Sequence, residues 1–229
     1  MSAVSANFAQ LRRAMVDNQV RPFSVTDRAV LARMLETPRE IFLPAELLAI
    51  AYSDLALEVS LGTEHRRMLS AMVLARMIQT AAIQPSDRIL DVGGGLGYSA
   101  AVMAGLGAEV TALETGEAMT RTAAVNFARA GLANCRAVNG PLEAGFAAGA
   151  PYNVIFLNGL IETAPEALLA QLADGGRLLA IRTPANDPAG RSGRAVRFEK
   201  TGNAIGAKEI FDASAPVLPG FRAVAAFAF

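Results

Sequence analysis

The residues able to do chemistry gather around one glycine-rich stretch. Ile89-Leu90-Asp91-Val92-Gly93-Gly94-Gly95-Leu96-Gly97-Tyr98 closes a strand-like apolar run and opens a helical one. Glycines at such a junction let the backbone turn tightly and approach a ligand, because no Cβ stands in the way. A second acid, Glu114, ends the next strand-like run. A carboxylate placed there can accept hydrogen bonds from both hydroxyls of a ribose. Taken alone, the glycines fit a tight structural turn as well; the strand before, the helix after and the acid at that distance favour a nucleoside ligand.

The spacing bears on which nucleoside. A dinucleotide fingerprint needs G-x-G-x-x-G; read from Gly93 the third position is Tyr98, and read from Gly95 it is Ala100, which only the looser form accepts. What stands here is D-x-G-x-G-x-G, with Asp91 at the strand's end. S-adenosylmethionine carries a sulfonium and an ammonium and no phosphate, so a carboxylate beside the loop suits it and would repel a pyrophosphate. That favours S-adenosylmethionine over NAD. No Walker A sequence occurs, so a phosphate-loop ATPase is not supported.

Other reactive side chains are few. His65 reads as a solvated or capping residue ahead of a long helix. Ser70 can donate a hydrogen bond to an acceptor or cofactor, or bond its own helix backbone. Arg66 and Arg67 are candidate partners for a substrate carboxylate, or simply an exposed basic face. Cys135 falls in a strand-like run and reads as an inert core residue.

The elements that must position these residues change character along the chain. Residues 1–84 are expected to form an N-terminal helical extension packed on a core. Phe8, Leu11 and Met15 share helical spacing, Asp27 can cap a run from Ala29 to Leu35, and a longer helix is expected from about Glu64 to Ala82. Its Met-rich spacing is core rather than a cofactor box. From residue 85 to 229, strand-like runs (Arg88–Val92, Glu109–Leu113, Cys135–Val138, Val154–Leu157, Leu178–Ile181) alternate with helical ones, the pattern of βαβ units on a parallel sheet. The tail is different: Val196–Lys200, Lys208–Phe211 and Ala223–Phe229 are strand-like around the turn Thr201-Gly202-Asn203, so an antiparallel pair is expected at one sheet edge. Asp187–Gly193 is the most loop-like stretch.

Composition limits the alternatives. The chain has 229 residues, 21 basic and 21 acidic side chains, 52% hydrophobic residues, one His and one Cys. That length fits one compact domain needing no disulfide or metal to hold it. One Cys and one His cannot build a structural zinc site, so no metal is expected. Zero net charge leaves no electrostatic footprint for nucleic acid or an anionic membrane. No apolar run reaches the length of a bilayer span, and the first residues lack a signal-peptide pattern, so a cytoplasmic location is expected.

Longer motifs then carry a resemblance. Met15-Val16-Asp17-Asn18-Gln19-Val20-Arg21-Pro22 looks like the opening of bacterial protein-L-isoaspartate O-methyltransferases. Pro38-Arg39-Glu40-Ile41-Phe42-Leu43-Pro44 matches that family's P-R-x-x-F-V-P, and Ala51-Tyr52-Ser53-Asp54 its A-Y-x-D. The glycine loop with Tyr98 and Ala101 is similar to G-x-G-x-G-Y-x-x-A, Pro151–Ile155 to P-Y-D-x-I, and Gln171–Leu178 to Q-L-x-x-G-G-R-L. The likeness runs from about residue 14 to the C-terminus, and the P-R-x-x-F-V-P and A-Y-x-D pair is its most specific part.

The resemblance implies an α/β fold, a doubly wound, seven-stranded, mostly parallel sheet of the Rossmann-like methyltransferase type. It implies S-adenosylmethionine as cofactor and the free carboxylate of isoaspartyl residues in damaged proteins or peptides as acceptor, a protein-repair activity; a homodimer is compatible with it. Carried over by position, Asp91, Gly93, Gly95 and Gly97 would line the cofactor's methionine part and Glu114 its ribose; Tyr98 and Gly140 are further cofactor-binding candidates, Gly140 near the adenine, with Ser70 as the catalytic candidate.

Three departures stand out. Ser70 lies one position off the family's I-S-x-P serine, with Ala71 replacing the proline; G-D-G becomes Asn139-Gly140-Pro141; and Asn153 stands where P-Y-D has its acid. They keep two alternatives open: a methyltransferase for another acceptor, or a cofactor-binding homologue with weak or lost catalysis.

Overall fold

Mostly apolar runs separated by helices build a parallel sheet. The computed structural model describes residues 3–183 and 193–223, with side chains from residue 7 onward. The core strands are β3 (Arg88–Val92), β4 (Glu109–Glu114), β5 (Cys135–Asn139), β6 (Tyr152–Ile161) and β7 (Leu172–Arg182). They pair in parallel in the order β5-β4-β3-β6-β7. Val154, Ile155, Phe156 and Leu157 are all fully buried, as expected where helices cover both faces of a parallel sheet. The strands β8 (Arg194–Thr201) and β9 (Ala204–Asp212) extend the sheet to seven and pair antiparallel, β8 on β7 and β9 on β8. The expected antiparallel edge is therefore present, turning at Thr201-Gly202. The predicted strand over 223–229 and the loop over 187–193 fall almost wholly outside the described residues.

The helices follow their apolar faces. In α1 (Ala3–Met15) and α2 (Arg28–Glu36), the buried residues Met15, Val30, Leu31 and Met34 join the core. The Asp27 carboxylate caps α2, accepting from the Ala29 and Val30 amides at 2.8 and 3.1 Å. Between the sheet and this N-terminal layer lies α4 (Tyr98–Ala104), with all seven residues buried. The helices α5 (Glu117–Arg129) and α6 (Glu166–Ala170) complete the crossovers.

One N-terminal expectation is corrected. The long helix from Glu64 does not form: α3 spans Ala71–Ala81, and before it Leu57–Leu61 (β1) and Glu64–Met68 (β2) make an antiparallel hairpin of their own. Burial alternates along both strands, with Leu57, Val59, Arg66 and Met68 turned inward, and Gly62 at φ 62° makes the turn. The charged run Glu64-His65-Arg66-Arg67 stands where that helix is expected to begin, but its period is two, set by its partner strand.

Candidate functional site

Ligands of doubly wound sheets bind at the carboxyl ends of the strands, where the strand order reverses. Here that point lies between β3 and β6, and the glycine loop that follows β3 sits on it. Gly95 at φ +66° and Gly97 at φ +100° hold backbone conformations that a side chain would strain. Gly97 also packs beneath the Phe127 ring, so the loop enters α4 with no room for a Cβ. Gly93, Gly95 and Gly97 thus form the tight loop expected of them.

Both predicted acids stand at the strand ends and are buried. Asp91 is fully enclosed; its oxygens accept from the Ser99 hydroxyl and the Asn158 side-chain amide, each at 2.7 Å. Burial pushes its carboxyl up to about 6, against the pull of those two donors. Glu114, 2% exposed, accepts from the Gly95 amide at 2.5 Å and from the Arg66 guanidinium Nε at 2.9 Å. Burial raises Glu114 to about 7, and the Arg66 charge, foremost among the opposing effects, pulls it back. Gly140 lies beside this acid, its amide bonding the Glu114 carbonyl at 3.0 Å.

Arg66 is neither an exposed basic face nor a side chain open to a substrate. It is 6% exposed, pairs with Glu114, and donates also to the Thr115 hydroxyl and, at 2.8 Å, to the His65 carbonyl. Its partner across the hairpin, Val59, touches the position a Gly95 Cβ would take, as does Arg66 itself. From the opposite side Leu218 presses on Gly93 and Gly159; residues 216–218 run along Leu160 by backbone bonds of 2.9 Å. Asn158 and Leu218 went unassigned in the sequence. Asn158 could have been found from its place at the end of the strand next to Asp91, whereas nothing local marks Leu218.

The remaining candidates separate from this cluster. Tyr98 turns away from the open side of the loop: its ring stacks under Arg39 (5.1 Å) and against Phe42, and its hydroxyl meets the Met34 sulfur at 3.8 Å. Its side chain packs the N-terminal layer. Ser70 is half-buried at the start of α3, not in mid-helix, and among the described residues its hydroxyl has no hydrogen-bond partner. His65 is exposed on the hairpin, bonded to the Ser60 hydroxyl at 2.8 Å. Arg67 is exposed and pairs with Glu58 at 2.9 Å. With Pro216, the residues Glu58, His65, Arg66 and Arg67 line a depression of about 170 Å³. Burial lifts the Cys135 thiol to about 12, which leaves it unreactive. Asn153 accepts from the Arg88 amide at 2.9 Å and so ties β3 to β6. Among the described residues no cluster of acids, His and Cys could hold a metal ion. No helix among them is long and apolar enough to cross a membrane.

Residues 10–212 match the model of the family Protein-L-isoaspartate(D-aspartate) O-methyltransferase (PCMT). A protein-L-isoaspartate O-methyltransferase of Herpetosiphon aurantiacus is 37% identical over 171 residues, 75% of this chain and 75% of the relative. One of Methylorubrum populi is 36% identical over 181 residues, 79% and 82% of the two chains. A solved protein-L-isoaspartate O-methyltransferase superposes with a TM-score of 0.78 at 26% identity, covering 92% of this chain and 65% of its own. The fold is shared too with a Plasmodium falciparum protein solved in complex with S-adenosyl-L-homocysteine, with a TM-score of 0.75, 18% identity, and 90% and 97% of the two chains covered. The chain belongs to the protein-L-isoaspartate(D-aspartate) O-methyltransferase family.

Proposed function

We infer that the protein is an S-adenosylmethionine-dependent O-methyltransferase whose acceptor is the free carboxylate of isoaspartyl residues, a protein-repair activity. Family membership supports the reaction. The observation that carries the cofactor is Glu114, a carboxylate at the end of β4 beside the Gly95 amide, where ribose hydroxyls would be received. The chemistry of the donor set fits the group: glycine backbone at the reversal point, two acids and no phosphate-binding lysine. The fit needs the cleft's own side chains to give way, because Arg66 pairs with Glu114 and Leu218 covers Gly93.

S-adenosylmethionine, when bound, supplies a methyl group on a positively charged sulfur. Gly93, Gly95, Gly97 and Asp91 would hold its amino-acid end, Glu114 the ribose and Gly140 the adenine side. An isoaspartyl carboxylate is ionised at neutral pH, since ordinary carboxyl pKa values lie near ~4, so no general base is required. What the chain must provide is alignment, and holding nucleophile and methyl in line can supply as much as about 7–11 kcal/mol. Ser70, the catalytic candidate, would act by donating a hydrogen bond. Arg67, exposed on the depression, could exchange its pairing with Glu58 for an acceptor carboxylate. The expected location is the cytoplasm, with damaged proteins as partners.

Binding tests the cofactor half of this reading. S-adenosylhomocysteine is expected to raise the melting temperature, and Glu114→Ala to abolish the rise while the variant stays folded by circular dichroism. Absence of any shift in the native protein would count against the cofactor.

A further inference from the structure

Arg66 holds the one carboxylate that a ribose needs. Its guanidinium spans Glu114, Thr115 and the His65 carbonyl, and the pair is buried, with 5% and 3% of the two side chains exposed. Val59 and Arg66, paired across the hairpin, both sit against Gly95, while Glu64 of the same hairpin packs its carboxylate against Gly116, two residues past Glu114. Among the described residues the hairpin is joined to no other sheet; it is a two-stranded unit laid over the strand ends. Among the described residues, one Glu64 carboxylate oxygen is buried there with no hydrogen-bond partner.

Glu114 is closed to a ribose in this geometry, because only 3% of its side chain is exposed beneath Arg66 and the hairpin. The Gly95 amide already takes one carboxylate oxygen and the guanidinium the other. We propose that Arg66 is the residue that sets cofactor affinity, a latch on Glu114 that S-adenosylmethionine or S-adenosylhomocysteine must displace by shifting the β1–β2 hairpin. The idea rests on the cofactor reading above. A protein whose binding-competent form is a minor population binds with affinity reduced by that fraction, so weakening the latch strengthens binding. A residue that merely stabilises the cleft would do the reverse.

The test measures the Kd of S-adenosylhomocysteine by calorimetry for the full chain, for Arg66→Gln and for Arg121→Gln, an exposed surface control on α5. Arg66→Gln is expected to bind about tenfold more tightly or better, and the control to be unchanged. Binding by Arg66→Gln but not by the native chain would support the latch equally. Equal or weaker binding by Arg66→Gln overturns the latch and leaves the cofactor reading standing; binding by neither overturns both. Should Arg66→Gln fail to fold, hydrogen exchange on the native chain decides. With S-adenosylhomocysteine bound, amides of residues 57–68 should exchange faster while those of 93–97 slow. Hairpin amides that slow, or do not change, overturn the proposal.

Discussion

Asp91 and Glu114 are both buried acids, and burial has a pH signature. Asp91 is raised to about 6 in the folded chain, against ~4 when unfolded. Between those values the folded chain keeps a proton that the unfolded chain has released. The site's stabilising contribution is therefore complete below about pH 4 and is lost as pH rises through about 6. Asp91→Asn can keep a bond to both Ser99 and Asn158 but cannot ionise. Urea unfolding should show the native protein losing on the order of 2–3 kcal/mol relative to Asp91→Asn across that window. Parallel pH curves would contradict the assignment. Glu114, raised to about 7, acts in the same direction, with its loss extending to higher pH. At this scale Glu114 was readable from its distance to Gly93, because the strand–helix–strand path fixes where the second acid falls. Arg66 was not readable as its partner, because 48 positions separate the two and only the hairpin's placement joins them.

Elements with local signals were legible. The capping Asp27, the short apolar runs that make β3 to β7, and the turn at Thr201-Gly202 all act within a few residues of themselves. The hairpin was not, because Glu64–Met68 is rich in residues that favour a helix, and its strand form depends on pairing with Leu57–Leu61 and on packing over the glycine loop. The loop itself tolerates little. Gly97→Ala would force a side chain at φ +100° and drive a methyl into the Phe127 ring, so it should cost about 2–4 kcal/mol in chemical denaturation and loosen α4. An unchanged unfolding midpoint would show that the loop relaxes freely.

Over the whole molecule, the N-terminal layer is tied to the core by polar as well as apolar contacts. Arg12 on α1 bonds the Tyr52 hydroxyl at 2.8 Å and Glu40 at 2.9 Å, and Tyr52 donates to the same Glu40. Glu40 and Tyr52 come from the two motifs most specific to the family resemblance, P-R-x-x-F-V-P and A-Y-x-D, and they meet each other and Arg12 away from the glycine loop. The cluster is partly buried, with 14% of the Arg12 side chain exposed, so Arg12→Ala should cost about 1–3 kcal/mol, read as a lower urea midpoint. Cofactor affinity should change little, since none of the three touches the strand ends. A large loss of affinity would instead mean that the layer presses the hairpin onto the loop.

The same separation explains why the departures at Ala71, Gly140 and Asn153 leave the fold intact: Asn153 still joins two strands and Ala71 is simply buried at the start of α3. What they bear on is the acceptor. The measurement that meets it most directly is transfer of a labelled methyl group from S-adenosylmethionine to an isoaspartyl peptide, run beside its ordinary aspartyl twin. Base-labile label on the isoaspartyl peptide alone is the predicted result. Tight cofactor binding with no transfer to either peptide would contradict it.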